Sequence, residues 1–406
     1  MNMESQRLLN KMIGVGLTEE PFKAMEFTDE PKTPCFITIP NENARNKYIS
    51  EDVGGQGHHP DETCAKIKSV GECLERLCLF NPGTKELDFS IASDIDIAIF
   101  NCYSEEQLED KNKWLKKLRQ GRYKLWPAKD CFKKKNLNLP AQLFFLNIGT
   151  DEVSIRGERI STGTALGLRG TDEAFKRGFL EVVERDSFIT SYLKQRIMHE
   201  IINLPEKVRS FLEYLERYRL EAHLYDATTD LGIPTVIAIV FDRTGIGPAV
   251  NIGAKADFDF ENAMFGALLE SVQPRRPSRF KKESNPNFAF PKEAYSMENR
   301  YYYWYNPERL HDIDFWIGSC PKINYSRLSE MTVSLNKAMD ELKSRGYHVF
   351  LGDLTLPEIR RAGFEVIKVL IPELHPLYLS ERHKALYSVH AGQISDNPAL
   401  KPHPFS

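Results

Sequence analysis

The sequence predicts an α+β protein, mixed sheets with helices packed on them. Three observations carry that expectation. Residues 94–100 (DIDIAIF), 142–146 (QLFFL) and 233–241 (IPTVIAIVF) are apolar or alternating runs of strand length, set among stretches whose apolar residues recur at helical spacing. Near the C-terminus the two periodicities alternate. Leu328, Met331, Leu335, Ala338, Met339 and Leu342 mark a helix that Gly346 can end, 348–351 reads as a strand, a shorter helix starts at Leu356, and 365–371 is a strand stopped by Pro372. Finally, 406 residues of which 41% are hydrophobic can bury a core spanning more than one sheet.

Charge and composition exclude several functions. A net charge of −3 gives no global attraction for nucleic acid or an anionic membrane. The run at 233–241 is far too short to span a bilayer, and Glu4, Arg7 and Lys11 interrupt any signal-peptide-like stretch, so the chain reads as cytoplasmic with no membrane partner. Seven scattered cysteines without a C-x-x-C pair form neither a disulfide framework nor a zinc knuckle; Cys64, Cys73 and Cys78, with His58 and His59 nearby, read as core or helix-face residues. The basic stretch 111–135 interleaves Trp114, Tyr123 and Trp126, a mixture that can hold single strands. Because the rest of the chain is not basic, a solvated face or a docking patch for an acidic partner is the expectation, and no nucleic acid.

Taken along the chain, one acidic pattern recurs. At 179–186 (FLEVVERD), Glu181 and Glu184 share a helix face amid Phe179, Leu180, Val182, Val183, Phe188 and Ile189. Like charges one turn apart repel, and burying them unpaired costs several kcal/mol, roughly, so a positive charge is required. Upstream, Ser69, Glu72, Glu75 and Arg76 repeat the E-x-x-E-R pattern; downstream, Glu270, Gln273 and Arg275 form a version with an amide for the second acid. Each copy follows a glycine-containing stretch, at 54–57 (GGQG), 161–170 (STGTALGLRG) and 251–255 (NIGAK).

Helices offering paired carboxylates suit magnesium, which takes hard oxygen ligands and combines carboxylates with water and phosphate oxygens. Arg76, Arg185 and Arg275 could meet phosphate bidentately, and small loop residues would let backbone approach the ligand. One E-x-x-E-R is a weak signal; three on apolar-flanked helices point to a triphosphate held through magnesium. No G-x-x-x-x-G-K-[ST], H-R-D or D-F-G occurs, so this is neither a Walker nor a protein-kinase site.

The order and spacing of Ser69, Glu72, Glu75 and Arg76, then Ser161, Gly163, Ala165, Gly167, Glu173, Ala174, Glu181, Glu184, Arg185 and Asp186, then Glu270, Gln273 and Arg275, resemble the YcaO family. LPAQL at 139–143 and the αβ segment at 353–377 agree, so the resemblance covers residue 50 to the end. It divides the chain into an N-terminal extension, 1–49, packed on the main domain, and a YcaO domain, 50–406. The chain departs from the family's pattern at Gln56, where a lysine is common, and at Thr162, where asparagine is frequent.

The resemblance implies a YcaO fold with ATP held between glutamate-bearing helices. By position, Glu72, Glu75, Glu181 and Glu184 would hold Mg2+, with Glu270 a further candidate; Ser69, Ser161 and Gln273 would contact the nucleotide, and Arg76, Arg185 and Arg275 would lie near phosphates. It is most like the azoline-forming cyclodehydratases (D proteins) of bacteriocin or microcin biosynthesis, which convert Cys, Ser or Thr of a ribosomal precursor peptide by phosphorylating the backbone amide oxygen. Those members end in alternating prolines. Here the tail is Pro402, His403, Pro404, Phe405 and Ser406, with the Ser406 carboxylate or His403 as candidate proton shuttle.

With about fifty residues ahead of the match, the reading expects a separate leader-binding partner, E1-like or winged-helix, and allows a flavin-dependent azoline dehydrogenase. Two rivals stand beside it: a YcaO-type thioamide- or amidine-forming enzyme, and a non-catalytic nucleotide-binding scaffold.

Overall fold

The structure is a computed structural model that describes residues 3–48, 53–80, 82, 87–149, 153–331 and 333–405. The expected apolar strand is Thr235–Asp242, buried at every position. It lies inside a five-stranded sheet, antiparallel to Val250–Ala256 on one side and to Leu220–Asp226 on the other. Such a central strand is covered on both faces, which is why its sequence is apolar without alternation. The sheet continues to His199–Ile202 and Lys322–Asn324, this last pair parallel.

A second sheet runs Phe89–Ile91, Arg122–Asp130, Phe350–Asp353, Phe364–Leu370, Thr164–Leu168, with Lys135–Pro140 also on Arg122–Asp130; its pairs are antiparallel. A small third sheet joins Phe22–Lys23, Cys35–Thr38 and Gly55–His58. Residues near the N-terminus thus enter the sheet that carries the first glycine segment. The Met3–Ile13 helix adds Leu9 and Met12 to the core built around Val70, Leu74 and Leu77.

Near the C-terminus the αβαβ expectation holds with shifted ends: Leu335–Ser344, Phe350–Asp353, Pro357–Arg361 and Phe364–Leu370. The first helix starts late because Ser334 caps it, its hydroxyl accepting from the Lys337 N–H at 3.3 Å; Gly346 ends the segment at φ 74°. Two expected strands are absent. At 94–100 the chain forms a 3-10 turn, Ile97–Phe100, because the Asp96 carboxylate accepts from the Ala98 N–H at 3.0 Å and closes the backbone locally. At 142–146 the strand has already ended, at Pro140, and Ala141–Leu143 is one 3-10 turn. Gln142 points inward, accepting from Ile155 N–H at 2.8 Å and donating to Val153 carbonyl at 2.9 Å, so its amide does the pairing a strand would have done.

The basic stretch is split between the Lys111–Gln120 helix and the Arg122–Asp130 strand. Its aromatics do not line one surface: Tyr123 and Trp126 are buried, and Trp114 donates its indole N–H to Asn101 at 2.9 Å. Lys111 and Arg119 pair with Glu105 and Asp96, the arrangement of a solvated face. Among the described residues no helix is long and apolar enough to cross a membrane.

Three strand–helix units position the acids. Gly55–His58 leads into Glu62–Phe80, Thr164–Leu168 into Glu173–Leu193, and Val250–Ala256 into Phe260–Val272. The glycines, expected to admit a ligand, instead admit each unit's own helix. A Cβ on Gly57 would lie 1.8 Å from the Ala65 carbonyl oxygen, and one on Gly253 would lie 2.1 Å from that of Ala267. Glycine here brings the strand and the acid-bearing helix close enough to bond directly.

Candidate active site

The acids of the three helices meet the strands in a regular way. Each carboxylate accepts one backbone N–H: Glu72 from Gln56 at 2.6 Å, Glu75 from Leu166 at 2.8 Å, Glu181 from Gly163 at 2.9 Å, Glu184 from Ala256 at 3.0 Å and Glu270 from Ala254 at 3.0 Å. The first acid of each helix bonds the strand or loop of its own unit; the second bonds the strand of the next unit. Gln273, standing where the third helix would have its second acid, closes the circle. Its amide donates to the Gln56 carbonyl at 3.3 Å, and the Gln56 amide donates to the Gln273 carbonyl at 3.1 Å. An amide suits that position because its partner is a carbonyl, which a carboxylate would repel.

Glu72, Glu75, Glu181, Glu270 and Gln273 line one cavity of about 510 Å³, together with Gln56, Arg76, Ser161 and Arg185. Glu184 stands behind its wall. One of its oxygens takes Ala256 N–H and the Lys255 ammonium at 3.2 Å, the other the Arg185 guanidinium at 2.6 Å. Ser69 does not reach the cavity either: it is buried, sharing a 2.8 Å hydrogen bond with the Thr38 hydroxyl. Thr162, noted in the sequence as a departure from the family's pattern, and Thr164, which was not singled out, follow Ser161 on the wall.

The three arginines part company. Arg76 and Arg185 each stand four residues after the first acid and turn back to it, Arg76 to Glu72 at 2.6 Å and Arg185 to Glu181 at 3.4 Å. Arg185 also comes within 3.8 Å of Glu270, so one guanidinium faces carboxylates of two helices. Arg275 stands five residues after Glu270, past Pro274, where the helix breaks. That extra residue turns it away from the cavity. It is fully buried, bidentate with Glu30 at 2.9 and 3.0 Å, and 2.7 Å from Asp242, and its Nη1 also donates to the Pro248 carbonyl and the Asn251 side-chain oxygen. The expected phosphate contact from Arg275 is therefore replaced by a structural ion cluster.

A protein-family model described as YcaO cyclodehydratase, ATP- and Mg2+-binding, matches residues 55–375, the span that holds all three units. The chain belongs to the YcaO family. No curated protein sequence matches this YcaO chain. Solved structures do: a heterocyclase in complex with substrate and cofactor aligns at TM-score 0.73 and 17% identity, covering 96% of this chain and 53% of that one. The YcaO protein of Methanopyrus kandleri, bound with AMPPCP and Mg2+, aligns at TM-score 0.62 and 19% identity over 91% of each chain. The E. coli microcin synthetase McbBCD complex follows at 0.60 and 13%, covering 87% of this chain and 88% of that one. At these identities the likeness is one of fold, and the chain spans about half the length of the heterocyclase it matches.

ATP and Mg2+ are the cofactors of this YcaO protein, as the family description has it. The cavity fits them. Mg2+ requires oxygen ligands, and four carboxylates from three helices face one space. Their electrostatics show the want of a cation: burial, reinforced by neighbouring acids, pushes the Glu75 carboxyl up to about 8 and Glu270 up to about 7, and burial also raises Glu181. A carboxyl whose folded-state pKa is raised binds more protons folded than unfolded, so its contribution to stability is lost as pH rises. For Glu75 the window runs from the ordinary glutamate value of 4.5 to about 8. The metal-free protein is expected to melt at progressively lower temperature across that window, less steeply in Glu75→Gln, and Mg2+ with ATP should flatten the dependence. Melting curves at stepped pH check this; identical slopes for the two proteins would contradict it.

Of the tail residues in this YcaO chain, Ser406 lies outside the described residues. His403 is buried and is not part of the cavity lining. Its Nε2 donates to the Tyr378 carbonyl at 2.6 Å, and burial, with Arg300 beside it, holds its pKa well below the usual imidazole value. The expected proton-shuttle role for His403 gives way to that of a neutral anchor. Pro402 is half-buried, its carbonyl accepting from the Trp304 indole at 3.0 Å, and Pro404 is buried. Among the described tail residues, the one that lines the cavity is Phe405. Its signal in the sequence was an aromatic directly after the last proline of a proline-spaced segment.

Proposed function

We propose that this YcaO-type enzyme is an ATP-dependent cyclodehydratase that converts Cys, Ser or Thr residues of a ribosomal precursor peptide to azolines. The supporting observation is the meeting of two features at one cavity: carboxylates from three helices, and a proline-spaced tail that brings Phe405 to the same wall. In this reading a side-chain nucleophile of the peptide gives up its proton and adds to the preceding amide carbonyl, closing the ring; the former amide oxygen takes the γ-phosphoryl group of ATP with ADP as leaving group, and phosphate then departs as the amide N–H proton is lost, leaving the azoline C=N. Glu72, Glu75, Glu181 and Glu270 hold the metal, and Glu184 sets the orientation of Arg185 from behind. Mg2+, when bound, supplies charge neutralisation for the triphosphate. Arg76 and Arg185 add donors for phosphate oxygens, and Ser161 and Gln273 offer hydrogen bonds to the nucleotide.

A partner that holds the precursor's leader, E1-like or winged-helix, belongs to this proposal. It is supported by the fold shared with McbBCD, which has been seen as a complex with pro-MccB17 bound. Incubating the purified chain with candidate precursor peptides and ATP, with and without co-encoded partner proteins, tests both parts by mass measurement. Loss of water per modified residue supports ring formation. Exchange of oxygen for sulfur would point to a thioamide instead, and efficient leader-dependent turnover without a partner would remove that element.

A further inference from the structure

The tail is held through its backbone. Tyr192 donates its hydroxyl to the Lys401 carbonyl at 2.9 Å, Trp304 donates to Pro402, and Arg300, wholly buried, donates to the His403 carbonyl at 2.6 Å. Three successive carbonyls are gripped in turn, and the buried His403 imidazole adds its bond to the Tyr378 carbonyl, so the register of the segment is set over 401–403. The result is that the Phe405 ring, itself buried, comes to rest 4.8 Å from the ring of Phe188 and 4.3 Å from the Arg185 guanidinium carbon.

Arg185 is thus held in two different ways. Its edge points at carboxylates, Glu184 at 2.6 Å, Glu181 at 3.4 Å and Glu270 at 3.8 Å. Phe405 attracts it through the ring's negative π system. The two kinds of contact respond oppositely to a ligand. A cation that takes Glu181 and Glu270 removes two edge partners of Arg185 and leaves Glu184 on one N–H, whereas the ring contact needs none of the guanidinium N–H groups and leaves the others free for phosphate oxygens.

We infer that Phe405 is a positioning residue for Arg185: together with Glu184 it keeps the guanidinium in place when Glu181 and Glu270 turn to metal, so that its remaining donors meet the nucleotide's phosphates. This rests on the reading of the cavity as the ATP site, and it gives the tail a role on the nucleotide side that does not depend on a terminal carboxylate.

The test replaces Phe405 in the full chain with ring-fluorinated phenylalanines, which keep the shape and progressively drain the ring's negative face, and measures Mg2+–ATP affinity by calorimetry. Affinity is expected to fall stepwise, by roughly threefold to thirtyfold over the series, the range of a partly desolvated cation–π contact, and Phe405→Trp should retain it. The same series in an Arg185→Met background should be flat. Should that background not bind nucleotide, melting temperatures replace affinity: fluorination then lowers them only where Arg185 is present. A flat series in the wild-type background, or an equal slope without Arg185, overturns the role of Phe405. Wild-type protein that binds no Mg2+–ATP would instead overturn the reading of the cavity.

Discussion

Glu270→Gln is expected to lower ATP-dependent turnover by a factor on the order of 10²–10³, the usual loss when one preorganised electrostatic group is removed from an active site. The same substitution is expected to leave the metal-free protein as stable as before, or more so, at neutral pH. Both halves follow from one geometry. The glutamine carbonyl can still accept the Ala254 N–H that Glu270 accepts at 3.0 Å, so the helix stays registered on its strand. What disappears is a carboxylate crowded among acids and pushed up to about 7 by burial, whose charge costs stability until a cation arrives. Steady-state turnover and melting temperature, measured on one preparation, check the pair. A variant that loses activity and stability together would mean that Glu270 is structural.

Arg275→Met should do the reverse: unfold the protein rather than poison it. Removing the guanidinium leaves Glu30 and Asp242 buried without their shared counter-charge, and breaking such a cluster from one side costs about 3–5 kcal/mol. Arg76→Met provides the comparison, because the Arg76–Glu72 pair is partly open to solvent and such a pair contributes about 0–1 kcal/mol. The expected outcome is a large drop in denaturation midpoint for Arg275→Met and little change for Arg76→Met. Equal midpoints would refute the assignment of Arg275 as a structural hub.

These two arginines show where the sequence could be read and where it could not. Acids three apart on apolar helices declare a shared burden of charge, and that reasoning led to Glu72, Glu75, Glu181 and Glu184 without any tertiary information, with Glu270 as the version paired to an amide; of these five, Glu184 is the one outside the cavity lining. The misplacement of Arg275 was visible in principle: the first acid and the arginine are separated by four residues in the first two helices and by five in the third, with Pro274 between. One residue on a helix is a large rotation, enough to exchange the cavity for the core. Other features were not legible. Alternating apolar residues at 94–100 suggested a strand, but a single Asp96 side chain bonded locally and won. The tail's prolines announced an extended segment and its His403 suggested chemistry, whereas burial against Tyr378, Phe188 and Tyr192 made the histidine an anchor and left Phe405 at the cavity. The backbone N–H groups that orient the acids belong to strands up to about a hundred residues away, as with Glu75 and Leu166, separated by 91 positions; no local pattern reports them.

That circular bonding has a consequence for how the enzyme comes into being. Since Glu75 borrows its orienting N–H from the second unit, Glu184 from the third, and Gln273 closes on the first, no single unit and no adjacent pair contains a finished set of ligands. During synthesis Glu184 emerges long before the strand at Val250–Ala256 that orients it. A half-made chain therefore lacks Glu270 and leaves Glu184, and with it Arg185, without its final aim. Competence arrives as a threshold event, when the third unit docks, and a truncated or stalled product has no correctly gripped triphosphate to spend.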